Sequence, residues 1–495
     1  MRSLFVSAAL ATLAALAACS PYGASEFHCA LGGGQCGAGG VCEDTRYCSF
    51  EDPTCPGGRK YGDFSGALSG QCTGGEPMLV DAGADAPSPL TCTAGVKQCF
   101  GNAVETCNAT GTGFDSGLRE ACGLSCEVIA SAPTCTKASG LSTEVQVACG
   151  TGANDKDLQA PAGARVTIKN DRIDCTGCAG GVTTIPRAGT NPNAWFCLKS
   201  LVLSEGAQVG YEADTVITLF VAQSATIDTT VGFGGHAGEL LRAGTGGPGG
   251  SSGGGLSGDN QDGVDGRGSC PGQGGAHVNT GADAAGGGGG GAGHAGVGGA
   301  GGKGIGKGTP NPVAAGGGDG GPASTACDSP LGYPLKGGSG GGGGGDGSCG
   351  NNVGCGASGG GGGGGLQIAV RGDLGGSGSI RADGGDGSQG LAPSAGAGGG
   401  GAGGTIMIEA HAFTMTGALD VTGGNGGAVA NRAGGMGATT VLAGGVGTNG
   451  IAVSEGGSGG GGAAGRVRVN AAAAPNACTA AKPVTACSAG ALTPQ

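Results

Sequence analysis

Gly365-Leu-Gln-Ile-Ala-Val370 is followed, 14 residues after its first glycine, by Ser379-Ile-Arg-Ala-Asp-Gly-Gly-Asp-Gly387. The same pair recurs as Gly404-Thr-Ile-Met-Ile-Glu409 and Ala418-Leu-Asp-Val-Thr-Gly-Gly-Asn-Gly426. Gly365 and Gly404 are 39 residues apart, and so are Ile380 and Leu419. A fixed period carrying two short apolar runs per unit is the signature of stacked repeats. Gly465-Arg-Val-Arg-Val-Asn470 begins a third copy that reads as cut short, and Ala225 to Gly235 is an earlier, degenerate echo. The expected fold is therefore mainly β, an irregular parallel right-handed β-helix or solenoid with long Gly-rich loops. Its Val, Ile and Leu residues should stack in inward ladders, with small residues such as Ala382 where the prism is narrow. Aromatics make up only 3% of the chain, which suits such a core.

Upstream, Glu144-Val-Gln-Val-Ala148, Arg165-Val-Thr-Ile-Lys169, Cys197 to Leu203 and Val216 to Val221 read as further β-type runs bounded by Gly, Asn, Asp or Pro. Glycine supplies 126 of the 495 residues, and its long pure runs include Gly286 to Gly291 and Gly359 to Gly365. Two readings compete. Glycine loses the most entropy on ordering, so the tracts can be solvated linkers. Alternatively, tracts from successive coils lie side by side as polyproline-II-like strands. That conformation has no internal hydrogen bonds, so its backbone must find outside partners.

The first residues address the chain. Arg2 precedes an apolar run from Leu4 to Leu16, too short to span a bilayer comfortably, and Leu16-Ala17-Ala18-Cys19 ends it. This segment resembles the signal and lipobox of bacterial lipoproteins. The resemblance implies cleavage before Cys19 and a lipid on that cysteine. Ser20 in place of aspartate favours the outer membrane or cell surface of a Gram-negative bacterium. Lys plus Arg total 24 against 36 Asp plus Glu, a net charge of −12. An acidic chain without a basic patch is a poor nucleic-acid binder. The expected partners are the membrane, through the lipid, and surface glycans or other envelope proteins.

The chain has 23 cysteines, and setting Cys19 aside leaves an even number. They fall into even local groups. Cys29, Cys36, Cys42, Cys48, Cys55 and Cys72 form the first, and Cys92, Cys99, Cys107, Cys122, Cys126 and Cys135 the second. Cys149, Cys175, Cys178 and Cys197 follow, then Cys270, Cys327, Cys349 and Cys355, and finally Cys478 and Cys487. In an exported chain such groups read as disulfide frameworks, with pairing left open. Cys175-Thr-Gly-Cys178 has zinc-like spacing but no histidine nearby, so disulfide is preferred to metal.

The resulting division is a signal over 1–18, a lipid-anchored Cys-rich module over 19–75, a linker over 76–91 and a second Cys-rich module over 92–136. N-terminal β-helix coils follow over 144–235, a Gly-rich loop region over 236–365, C-terminal repeats over 366–470 and a disulfide-closed tail over 471–495. Segments such as Cys48-Ser-Phe-Glu-Asp-Pro-Thr-Cys55-Pro-Gly-Gly and Cys92-Thr-Ala-Gly-Val-Lys-Gln-Cys99 resemble the cysteine-rich parts of lipoproteins inferred in myxobacteria and their relatives. From about residue 200 to 470, the alternation of Gly runs with short strands resembles glycine-rich surface proteins and β-helix adhesins.

Chemistry is sparse. Asp259, Asp262 and Asp265 sit on a Gly-rich loop and make calcium the one candidate cofactor, but they lack EF-hand spacing and a distal glutamate. Asp171 and Asp174 could mimic the paired carboxylates of a glycosidase. Trp195 and Phe196 adjoin Cys197, where packing beside a disulfide is the ordinary role. The sequence thus points to a lipid-anchored, non-catalytic structural or adhesion protein of the cell surface. Its rivals are a β-helix polysaccharide lyase or glycoside hydrolase using Asp171 and Asp174, and a calcium- or glycan-binding surface module.

Overall fold

The computed structural model describes residues 36, 39–43, 47–53, 55, 58–62, 65, 72–73, 92–100, 102–129, 131–149, 155–188, 194–279, 283–307, 311–348, 354–473 and 477–495. Cys19 and the signal segment lie outside them. The chain forms two compact units, Met1–Pro89 and Leu90–Gln495.

In the first unit, Val41–Cys42, Cys48–Glu51 and Arg59–Tyr61 make an antiparallel sheet. Disulfides Cys36–Cys48 and Cys55–Cys72 staple it, and Cys42 is also disulfide-bonded. So little buried apolar surface cannot hold such a module alone, which is why the staples matter.

The second unit is mainly β, and among the described residues of the chain 33% are strand and 3% helix. Its framework is two sheets of largely parallel strands. In one, Ala194–Leu203, Ile217–Val221, Gly365–Gly375, Thr405–Phe413, Arg466–Ala473 and Cys487–Gly490 lie in register. Phe196, Leu219, Ile368, Ile408 and Val469 therefore stack in one buried ladder. In the other, Val209, Val231, Ile380, Leu419 and Ala481 do the same. Period-2 alternation puts these residues on one face of each strand, and all but the partly buried Val209 lie within one core cluster. Ile217–Val221 and Ala225–Ile227 both pair with Ala194–Leu203 on one side and with Gly365–Gly375 on the other. The pairing of these four strands thus closes on itself, because the two short ones are successive pieces of a single line.

Three expectations are corrected. Glu144 to Ala148 is not a β-run but part of the α-helix Thr143–Ala148. The Gln146 side chain holds it by bonding Ala138 N at 2.7 Å and Leu141 O at 2.8 Å, and no strand edge is offered to it. The third repeat is not cut short, since Ala481–Lys482 supplies its second strand against Leu419–Asp420. The Gly tracts are not the long loops expected of the solenoid, and of the two readings of them the ordered one holds, not the solvated linker. They pack against one another in a single bonded bundle.

The bundle's bonding repeats every three residues. Gly338, Gly341 and Gly344 donate to Gly363, Gly360 and Ala357, and Gly360 and Gly363 donate to Gly399 and Ala402. Three residues per repeat with all partners external is the polyproline-II pattern. The tract 354–365 exchanges bonds with six others, namely 233–238, 244–247, 250–258, 337–346, 382–390 and 394–404. The tract 394–404 likewise bonds to six, reaching 284–294, 337–346, 354–365, 382–390, 421–429 and 455–465. Six neighbours around each inner tract is hexagonal packing. It leaves no room for a Cβ at most positions, Ala357, Ser358, Ala397 and Ala402 being buried exceptions: a Cβ on Gly359, Gly360 or Gly361 would overlap the carbonyl of Gly341, Gly385 or Thr245 respectively. Buried backbone groups must be paired, and the lattice pairs them without any sheet.

The bundle leaves and re-enters the framework between adjacent rungs. Thr218 and Gln367 are 149 residues apart in sequence yet paired in register, with the tracts from 233 to 365 between them.

Candidate binding surface

The second Cys-rich module folds over the outer face of the first sheet. Cys92–Cys107, Cys99–Cys126 and Cys122–Cys135 pair within it, and Cys149–Cys197 ties its end to the sheet. Trp195, Cys197, Phe220 and Ala369 are buried there with Leu124, Ala138 and Cys149, so Trp195 does pack beside a disulfide. Phe196 points the other way, into the main core. Under this cover Glu409 accepts from Ser139 N at 2.9 Å, Ser139 Oγ at 2.9 Å and Gln367 Nε2 at 2.7 Å. Burial, outweighing these bonds, raises its pKa. Nothing in the sequence pattern marks Glu409, which lies in the middle of an ordinary strand.

The two carboxylates of the glycosidase reading sit on the second sheet's outer side, tied into ion pairs. Asp171 meets Arg172 Nη1 at 2.8 Å, and Asp174 meets Arg172 Nε at 2.9 Å and Lys169 Nζ at 3.1 Å. Burial pushes the Asp174 pKa up, but hydrogen bonds from Lys169 and Arg172 outweigh it and leave the group lowered. A general acid needs the opposite shift.

Asp262 and Asp265 do not converge on a common point. Asp262 accepts the backbone amide of His277 at 2.6 Å, and Asp265 that of Gly274 at 2.7 Å. Each caps an amide on the adjoining tract 272–277, three residues apart, in step with the lattice. Asp259 is exposed on the preceding turn. Among the described residues the one grouping of metal-ligand type is Cys149, Asp155 and Cys197, and its two cysteines are already joined to each other. Of the third cysteine group, Cys175 and Cys178 pair; of the fourth, Cys270 and Cys327 pair and Cys355 is disulfide-bonded. Cys478 pairs with Cys487. Cys29 and Cys349 lie outside the described residues.

Where the framework meets the bundle, His294 is fully enclosed. Its Nε2 lies 3.3 Å from Thr405 Oγ1 and its Nδ1 has no partner. Burial pushes its pKa down to about 4, with Asp328 opposing and Arg466 and Lys336 adding to the effect.

The bundle's far end is built of turns. Tract 382–390 leaves the strand Ile380–Arg381 and tract 394–404 returns into Thr405–Phe413, so the turn between them lies away from the sheets. By the same chain logic the turns at 239–242, 429–432 and 450–455 lie at that end. They carry exposed aliphatic side chains: Leu240 at 51%, Leu241 at 71%, Leu391 at 43% and Ile451 at 83% relative exposure. A cavity of about 710 Å³ lies between Glu239, Leu240 and Leu241 on one turn and Ser388 and Gln389 on the next. A second, of about 230 Å³, lies behind the same turn and is lined by His236, Glu239, Arg242 and Thr245.

An internal control exists. The turns Glu239–Arg242 and Val429–Arg432 are both closed by an isolated antiparallel bridge and both follow a Gly tract leaving a second-sheet strand. In the latter, Ala430 and Asn431 occupy the tip, and Arg432 pairs with Glu455 at 2.5 Å. In the former, Leu240 and Leu241 occupy the tip, and the Glu239 and Arg242 side chains have no ion-pair partner among the described residues. The turn can therefore be built without exposed leucines or unpaired charges.

No family model, no curated protein and no solved structure matches this chain.

Proposed function

We propose that this protein is a lipid-anchored structural or adhesion protein of the cell surface, without a catalytic role. It is carried on an irregular right-handed β-helix whose Gly tracts form a stiff head. The exposed leucine turn at the head's far end carries the reading, because its counterpart at 429–432 has Ala430 and Asn431 at the tip and its arginine paired with Glu455. A rigid lattice holding turns away from the framework suits presentation of a contact surface, where function commonly resides in loops on a fixed scaffold. Cys19 supplies the anchor in this reading, and the disulfides fit an oxidising compartment.

The test uses cells displaying the full chain against a panel of surfaces: immobilised glycans, envelope extracts and other cells. The parent should adhere to at least one, and L240S/L241S should adhere markedly less with unchanged surface level. Adhesion equal in parent and variant, or none to any surface, would overturn the assignment of the tip. Membrane retention of a C19A variant would overturn the anchor.

A further inference from the structure

Two turns of the bundle's far end share one backbone. In the first, His236 N donates to Thr245 O at 2.8 Å, Glu239 N to Arg242 O at 2.8 Å and Arg242 N to Glu239 O at 3.2 Å. In the second, Gly426 N donates to Gly435 O at 2.8 Å, Val429 N to Arg432 O at 3.1 Å and Arg432 N to Val429 O at 2.9 Å. All three bonds match at a constant offset of 190 residues. A Cβ on Gly244 would meet the His236 carbonyl, and one on Gly434 the Gly426 carbonyl. The backbone is thus a common template, and the side chains make the two turns different.

Three of the differences fall on one cavity. Gly426, Val429 and Gly435 of the second turn are replaced in the first by His236, Glu239 and Thr245. These three, with Arg242, line the cavity of about 230 Å³. The arginine is common to both turns, but its company is not. Arg432 pairs with Glu455 and also donates to Gly456 O at 3.0 Å. Arg242 has no carboxylate partner among the described residues, although Glu239 lies opposite it in the bridge. The first turn therefore keeps the arginine, omits its carboxylate and adds polar groups around the gap.

We propose that this cavity binds an acidic sugar residue, whose carboxylate takes at Arg242 the place that Glu455 takes at Arg432. A guanidinium holds a carboxylate through paired, charge-assisted bonds. Glu239 only accepts, so the ligand must bring donors as well, and hydroxyls supply them without adding charge. Thr245 can donate or accept. Tyr211 gives its one proton to Gly234 O at 2.5 Å. His236 Nε2, 3.4 Å from Tyr211 Oη, is therefore the donor of that contact, which leaves Nδ1 to accept from a hydroxyl. The cavity has room for about eight waters, the scale of one sugar ring and not of a chain of them. The proposal names a ligand for the contact turn described above and rests on that reading, but its test does not involve adhesion.

Titration calorimetry of the full chain tests it, with glucuronate and galacturonate set against glucose and galactose. At least one uronate should bind, at least about tenfold more tightly than its neutral counterpart. Arg242→Gln should lose that margin, and because Arg242 is exposed the variant should fold as the parent does. Free glycine and N-acetylglycine, carboxylates with an ammonium or an amide in place of hydroxyls, should bind at least about tenfold more weakly than the uronate. Binding of neither uronate, equal binding of the neutral sugar, an unchanged margin in Arg242→Gln, or a match by free glycine or N-acetylglycine would each overturn the proposal. A uronate bound by the parent and lost in Arg242→Gln upholds it even where displaying cells adhere to nothing. Adhesion without uronate binding overturns it and leaves the adhesion reading standing.

Discussion

Ser139 and Glu409, 270 residues apart in sequence, are joined by two hydrogen bonds from one residue, amide and hydroxyl, to the two oxygens of one carboxylate. This contact seats the Cys-rich module on the sheet. Glu409→Ala would leave the Ser139 amide buried without its acceptor and Gln367 Nε2 with only its bond to Ser139 O, at a cost of about 2–4 kcal/mol, and Glu409→Gln should lose less. Urea unfolding gives the magnitude. Trp195, the only tryptophan, is buried under the same module beside Ala138 and Ala369 and reports locally through its fluorescence. An unchanged midpoint and spectrum in Glu409→Ala would contradict the seating role.

The enclosed His294 makes the second unit acid-sensitive. Its pKa is lowered from 6.5 to about 4 in the folded chain. The unfolded state therefore takes up a proton first as pH falls. Stability is fully present above pH 6.5 and is lost towards pH 4, by about 3 kcal/mol for this group. His294→Gln should flatten that part of the stability curve, and calorimetry between pH 7 and 4 measures it.

Lattice position should decide the cost of adding one methyl group. Gly360→Ala places a Cβ on the Gly385 carbonyl, and a close-packed site that cannot relax should lose about 3 kcal/mol or more. Gln389→Ala, at an exposed rim position, should change stability by less than about 0.5 kcal/mol. Comparable thermal shifts in the two variants would contradict the hexagonal packing.

Hydrogen exchange reads the same lattice directly. The amides of Gly341, Gly360 and Gly399 each have a backbone acceptor and are buried, so they should exchange far more slowly than those of Val297 and Val446. Uniformly fast exchange across 285–365 would mean the tracts are solvated linkers.

Removing Cys270–Cys327, which spans 57 residues, should cost about 4 kcal/mol. The C270S/C327S pair, compared by thermal melting under non-reducing conditions, tests that figure.

Much of the framework was legible in the repeat. The 39-residue spacing of Ile380 and Leu419 became their register in one ladder, and Val231, from the degenerate echo, joined them. Local pattern misled at Glu144 to Ala148, because five residues of alternating polarity do not reveal whether a strand edge is nearby. The bundle was only half legible. A pure Gly run has no periodicity of its own, and the period of three shows only on rim tracts, as in Asp383, Asp386 and Gln389. Asp262 and Asp265 carry that same period, which is why they read as metal ligands while serving as caps to backbone amides. Glu409 and His294 could not be singled out, since their burial is created by segments far away in sequence.

The 149-residue excursion between Thr218 and Gln367 also bears on how the chain reaches this state. Strand Gly365–Gly375 finds its seat only after a loop of that length closes, and the loop's interior offers glycine tracts that gain nothing until several neighbours are assembled. Closing it costs about 2 kcal/mol more in chain entropy than a coil of some 20 residues. Pairings this distant in sequence are slow to form. The rungs from Lys156 to Ile227 can stack early, whereas the later rungs wait for the head, so the glycine lattice sets the pace at which the molecule matures.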